Sequence, residues 1–229
     1  MRPLSNAALL EAWEAGLGQP HVERALSLLV AGVPEEPADA LASLTIGERD
    51  ERLFRLREAT FGSRMPLVAA CPRCGEALEA EVSANELLMQ SGGDVRAPFE
   101  IDVGGRAIRF RLPNSIDLAV VRGRADAERA LFERCVEGEH DDDVMEAVAA
   151  KMAELDPQSD IDLSLTCPAC GHTWRAPFDI ASYFWSEIDA WAQRLLLEIH
   201  ELARGYGWSE RDILAMSAPR RRAYLELLA

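Results

Sequence analysis

The sequence predicts an α+β fold that is mostly helical, with one antiparallel β element and a long C-terminal helix. Two distant Cys-Pro-x-Cys-Gly knuckles, Cys71–Gly75 and Cys167–Gly171, repeat one motif. An apolar run leads into the first knuckle, and alternating apolar and polar residues follow it at 78–82 and precede the second knuckle at 161–166, patterns typical of strands. From Ile180 to about Arg204, apolar residues recur at steps of three or four, which predicts an amphipathic helix. Strand, knuckle and strand together resemble half of a zinc ribbon, so the β element is expected to be zinc-ribbon-like.

Composition limits the classes of protein to which the chain can belong. A chain of 229 residues can form one large domain or two small ones. Its hydrophobic content of 48% is ample for a packed core. The formal net charge is −15, from 24 basic and 39 acidic side chains, which argues against nucleic acid as the main partner. No run of 18 apolar residues and no apolar signal core are present. We therefore expect a cytoplasmic protein without a membrane partner.

The N-terminal part, residues 1–43, is predicted to be a helical segment. Helices are expected at about 5–15 and 20–31, separated by residues 16–20, which contain two glycines and a proline. The Thr45-Ile46-Gly47-Glu48 sequence is a capping box, which predicts the start of a charged helix that ends at about Phe61.

Residues 44–229 are predicted to form one zinc-clasped α+β domain. Strands are expected at 65–70 and 78–82 around the first knuckle, and at 161–166 and 172–178 around the second.

The insertion between these halves, residues 83–160, contains a short helix at 85–89 and a glycine-rich break at residues 91–93. It continues with a hairpin and three helices, which are expected at 99–103 and 106–112 and at 115–122, 125–137 and 140–154. Cys135 is expected to be a small core residue and not a metal ligand.

The C-terminal region, residues 180–229, is predicted to be helical throughout. Two glycines, Gly205 and Gly207, are expected to end the long helix, and short helices follow at 210–215 and 218–228. The broad apolar stripe of the long helix predicts core packing. The alternative is that part of an aromatic surface, with Tyr183, Trp185 and Trp208 as candidates, contacts a partner chain.

Four cysteines supply the clearest chemistry in the chain: Cys71, Cys74, Cys167 and Cys170. Four thiolates at tetrahedral corners form a closed site with no position for water, as in structural zinc sites. We therefore predict one structural zinc ion per chain, bound across the 92 residues that separate Cys74 from Cys167. Iron remains possible with the same ligands.

Signatures of catalysis are missing from the sequence. It contains no Gly-x-Ser-x-Gly elbow, no phosphate-binding P-loop and no dinucleotide-binding glycine motif. No pair of carboxylates has a spacing that singles it out for acid–base chemistry. The expectation is a non-enzymatic protein without catalytic residues or a small-molecule substrate.

Several segments resemble a known family. Residues 44–53 with Phe61-Gly62 and the first knuckle, residues 165–174 with 178–180, and residues 205–216 are similar to phage baseplate proteins encoded beside phage-tail-like contractile injection systems. They also resemble the T4-type baseplate hub assembly proteins. The resemblance covers roughly residues 40–229.

The resemblance implies a non-enzymatic role in assembly of the baseplate or hub, either as a chaperone or as a minor component. Its partners would be other baseplate or tail proteins. The alternative is a zinc-ribbon module that acts in transcription or RNA handling. That alternative predicts a basic stripe near the knuckles, where only Arg73 and Arg175 lie.

Overall fold

A computed structural model describes residues 2–89, 98–138 and 141–228. The helices in these ranges are α1 (Asn6–Gly16), α2 (His21–Gly32), α3 (Ala38–Ala42), α4 (Ile46–Phe61), α5 (Ala84–Leu87), α6 (Ser115–Val121), α7 (Ala127–Cys135), α8 (Asp142–Leu155), α9 (Ile180–Tyr206), α10 (Glu210–Leu214) and α11 (Ala218–Glu226). The strands are β1 (Arg64–Ala70), β2 (Ala77–Ser83), β3 (Phe99–Val103), β4 (Arg106–Phe110), β5 (Ile161–Thr166) and β6 (Thr173–Phe178). The predicted break at residues 91–93 and the first residue of the helix predicted at 140 lie outside the described residues.

The described strands pair as three antiparallel hairpins, β1–β2, β3–β4 and β5–β6, each a sheet of its own. The predicted α+β class, with mostly helical content and a long C-terminal helix, is confirmed. In the middle hairpin, Gly104 and Gly105 both have positive φ, of 61° and 81°, as a tight two-residue turn requires. Strand β4 ends at Phe110, two residues before the predicted end, because the Arg111 N–H donates to the carbonyl of Cys135 instead.

The main hydrophobic core lies between α1, α2, α4 and α9. Leu28, Phe54 and Phe184 are fully buried in it. The feet of both cysteine hairpins reach the same core, since Met65 of β1 and Ile161 of β5 belong to it. Each knuckle therefore lies at the far end of a hairpin whose other end is anchored in the core.

The insertion has a second core of its own. Phe110 from β4, Phe132 and Cys135 from α7, and Val144 and Val148 from α8 are buried together. The expectation that Cys135 is a core residue is confirmed, and burial raises the pKa of its thiol to about 11. A third cluster joins the end of α9 to α10 and α11.

Of the two glycines that were expected to end α9, one is explained by close packing and the other by its backbone conformation. Gly205 lies inside α9, because the helix continues to Tyr206 and ends at Gly207, which has a φ of 70°. A Cβ at position 205 would lie 2.6 Å from the Leu228 side chain. The prediction that Gly205 ends the helix was wrong. The absence of a side chain at Gly205 leaves room for the side chain of Leu228 to pack against α9.

The first turn of α4 is tied to the end of the insertion. Thr45 and Glu48 form the predicted capping box. The Gly47 N–H donates to Oδ2 of Asp156 over 2.9 Å, and both residues are buried. Burial raises the pKa of Asp156, while this backbone donor opposes the increase. The contact connects residues 109 positions apart, at the point where the chain leaves α8 for β5.

We expect Gly47→Ala to lower the free energy of unfolding by about 2–3 kcal/mol, from overpacking and loss of the hydrogen bond. A Cβ at position 47 would lie 1.8 Å from Oδ1 of Asp156, so the carboxylate would have to move. Urea denaturation measures the change. The control is the same substitution in an Asp156→Ala background, where the space is free and the cost should nearly vanish. An equal cost in both backgrounds would contradict the steric explanation.

Among the described residues, no helix combines the length and the apolar character required to span a bilayer.

Candidate metal centre

The two knuckles fold in the same way at the ends of their hairpins. In the first, the Cys71 N–H donates to the carbonyl of Glu76, and the Gly75 N–H donates to the carbonyl of Cys71, both over 2.9 Å. In the second, the equivalent bonds join Cys167 to His172 and Gly171 to Cys167, again over 2.9 Å. The glycine in each knuckle has positive φ, 77° and 69°, which other residues adopt at a cost.

This geometry brings the four cysteine sulfurs together. The Sγ atoms of Cys71 and Cys170 are 3.8 Å apart, and those of Cys74 and Cys167 are 3.6 Å apart. All four Sγ atoms lie within 4.8 Å of one another. With a Zn–S distance of about 2.3 Å, the edge of a tetrahedron is about 3.8 Å. The sulfur positions therefore fit a tetrahedral four-thiolate site that is made jointly by both knuckles.

Disulfide bonds do not account for the proximity. The two cross-knuckle S–S distances, 3.8 and 3.6 Å, are far above a bonded distance of about 2.05 Å. All four cysteines are free thiols. A metal ion is the chemical partner that this donor set fits.

The electrostatics of the cluster also favour a cation. Burial raises the pKa of the Cys71 thiol, but the backbone N–H groups of Cys74 and Arg73 outweigh it and lower the pKa to about 7. The Glu76 backbone N–H lowers the pKa of Cys74, yet the neighbouring thiols raise it to about 12. Four thiolates this close repel one another, so full deprotonation requires a cation between them.

One cysteine of each knuckle is buried and the other is accessible. Cys71 and Cys167 are 2% and 1% exposed, while Cys74 and Cys170 are exposed. The His172 ring stacks on Trp174, with centroids 6.1 Å apart and planes within 6°. Among the described residues, the group that could hold a metal contains the four cysteines without this histidine.

The three aromatic residues predicted as partner contacts lie in different places. Tyr183 is half-buried beside Phe178, and its hydroxyl donates to the carbonyl of Pro66 over 3.1 Å. Trp185 lies under the guanidinium of Arg24, 4.7 Å from the ring centroid. Partner binding by either residue remains a prediction.

Trp208 lies in the C-terminal cluster, apart from the other two candidates. It stacks on Tyr206 with centroids 4.4 Å apart and meets Tyr224 edge-on at 4.8 Å. These contacts within the chain are sufficient to account for a tryptophan at this position. A role of Trp208 in partner binding remains a prediction.

Sequence reasoning missed an ion pair that supports the first hairpin. Arg57 of α4 makes a two-pronged pair with Glu187 of α9, with N–O distances of 2.8 and 2.6 Å. Its third contact, over 2.7 Å, is to the carbonyl of Gly62, just before β1. The partners lie 130 positions apart, so no local motif could have revealed the pair.

Comparison with known proteins places the chain in a family. A family model described as T4 bacteriophage base plate protein matches residues 19–143, more than half of the chain. The chain belongs to the T4 baseplate protein family. The matched residues of this baseplate protein contain the first knuckle but not the second, and they begin upstream of the region, roughly 40–229, on which the resemblance was first based. No curated protein and no solved structure matches the chain.

Proposed function

We propose that this baseplate protein is a non-enzymatic assembly protein of the baseplate or hub of a phage-tail-like contractile injection system. It acts either as a chaperone or as a minor component, and it binds other baseplate or tail proteins. The observation that supports this most strongly is the family match over residues 19–143. The acidic surface implied by a net charge of −15 suits protein partners better than nucleic acid.

We also propose that Cys71, Cys74, Cys167 and Cys170 bind one structural zinc ion per chain. The four sulfurs are spaced for tetrahedral coordination, and a complete thiolate set leaves no open position for water or substrate. The ion would hold the β1–β2 hairpin against the β5–β6 hairpin. It would thereby hold together the two ends of the insertion, residues 83–160, that joins these hairpins. Iron bound by the same thiolates would be recognised by its colour and redox activity.

The environment of the knuckles supports protein binding over RNA handling. Of the two arginines beside the knuckles, Arg175 is paired with Asp162 at 3.1 Å, which leaves Arg73 as a single exposed arginine there. Arg64, at the start of β1, is paired with Glu81 at 2.6 Å. Within the part of the chain that the structure describes, the hairpins therefore lack the continuous basic stripe that would follow a phosphate backbone.

Affinity purification of the tagged protein, with neighbouring tail genes co-expressed, tests the proposed role. At least one baseplate or tail protein should co-purify, and an unrelated tagged bait is the control. Recovery from purified particles would identify a component, while recovery only with unassembled tail proteins would identify a chaperone. A bait that captures no tail protein, but forms a salt-sensitive complex with nucleic acid, would contradict the proposal.

A further inference from the structure

An open pocket lies beside the foot of the first cysteine hairpin, between α4, β1 and α9. Its volume is about 570 Å³, and its lining combines the aromatic side chains of Phe61, Tyr183 and Trp191 with three arginines, Arg57, Arg64 and Arg194. Tryptophan, tyrosine and arginine are the side chains most enriched at the energetic centres of protein interfaces. The composition of the pocket therefore differs from that of an ordinary solvated groove.

The charges in the lining leave one cation uncompensated. Arg57 is 2% exposed at its side chain and neutralises Glu187, which also lines the pocket. Arg64 at the rim is paired with Glu81. Arg194, by contrast, is exposed and forms no ion pair with any residue in the described ranges. Because it follows Trp191 by three positions on α9, its guanidinium shares one helix face with that indole.

We propose that this pocket binds an acidic segment of a partner protein, with a carboxylate on Arg194 and an adjacent apolar or aromatic side chain against Phe61 and Trp191. Charge complementarity supports this occupant, since Arg194 places an unpaired cation in the lining of the pocket. A planar guanidinium can bind a carboxylate through two parallel hydrogen bonds. The inference rests on the proposed assembly function and specifies the chemistry of one partner.

The pocket can be tested with a fluorescently labelled random copolymer of glutamate and tyrosine and the full-length, metal-loaded protein. Fluorescence anisotropy should show saturable binding that weakens about tenfold in Arg194→Ala, as expected for loss of one charged hydrogen-bonded pair. Arg194→Lys keeps the charge without the two-pronged geometry, so it should fall between the two. Arg204→Ala is the matched control, because Arg204 is exposed on the same helix and does not line the pocket.

Several results would overturn the proposal: no saturable binding, an equal effect of Arg194→Ala and Arg204→Ala, or equally tight binding of glutarate or inorganic phosphate. Tighter binding of duplex DNA that Arg194→Ala abolishes would also overturn it. The outcome is separable from that of the assembly role. Tail proteins that still co-purify at wild-type levels with Arg194→Ala, when the copolymer does not bind, would remove the pocket and leave the assembly function standing.

Discussion

Replacing Cys71 with serine should lower the free energy of unfolding of the metal-loaded protein by more than about 4 kcal/mol, a size that signals loss of a metal or a comparable element. Structural zinc contributes roughly 10–16 kcal/mol of apparent binding free energy that is coupled to folding. A serine hydroxyl is a poor substitute for a thiolate, and the three remaining thiolates would repel one another without a tightly bound cation. Replacing Cys167 should have an effect of similar size, because both sulfurs belong to one cluster.

Chemical denaturation of purified wild type and variants measures both effects. Cys135→Ala is the control, since that cysteine is also buried but lies in the insertion core. Cys135→Ala should leave the metal content unchanged and lower the free energy of unfolding only as much as a small truncation in a hydrophobic core does. A large effect of Cys71→Ser together with a negligible effect of Cys167→Ser would mean that the knuckles do not share an ion.

Replacing Arg57 with methionine should lower the free energy of unfolding by about 3 kcal/mol, near the lower end for breaking a buried ion pair from one side. The substitution leaves the carboxylate of Glu187 and the carbonyl of Gly62 without their donor. The lower end applies because the side chain of Glu187 is 23% exposed, so water can partly replace the lost partner. Methionine retains most of the volume, which limits the contribution of a cavity.

A second pair serves as the control for Arg57. Arg64 and Glu81 have the same two-pronged geometry but are both exposed, so Arg64→Met should change stability little. Replacing Arg57 and Glu187 together with methionine and glutamine should recover part of the loss, because no buried charge is then unpaired. Equal losses of unfolding free energy in Arg57→Met and Arg64→Met would contradict the conclusion that the buried ion pair of Arg57 stabilises the first hairpin.

Local patterns in the sequence were sufficient to predict most of the secondary structure. The capping box at Thr45 marks the start of α4, and apolar or alternating runs beside each knuckle mark the four strands that carry them. The four-cysteine cluster was also predictable, since two Cys-Pro-x-Cys-Gly knuckles form a complete ligand set however far apart they lie. These features depend on residues close together in the chain or on a recognisable motif.

The remaining features depend on contacts between distant residues, for which the sequence offers no local signal. Gly205 resembles a helix terminator until Leu228 is found packed against it. The bond from Gly47 to Asp156 and the pair between Arg57 and Glu187 join residues more than a hundred positions apart. Strand β4 is shorter than its alternation suggests because Cys135 accepts the next backbone hydrogen bond. Arg194 looks like an ordinary surface charge until the pocket around it is seen.

The central claim is that two distant knuckles share one structural metal ion, and the metal content of the purified chain tests it most directly. Elemental analysis, combined with titration of reactive thiols, should find one zinc ion per chain and four cysteines, besides the buried Cys135, that react only after the metal is removed. The zinc should be lost from Cys71→Ser and from Cys167→Ser alike. Protein that is folded, free of bound metal and open to thiol reagents at all four positions would contradict the claim.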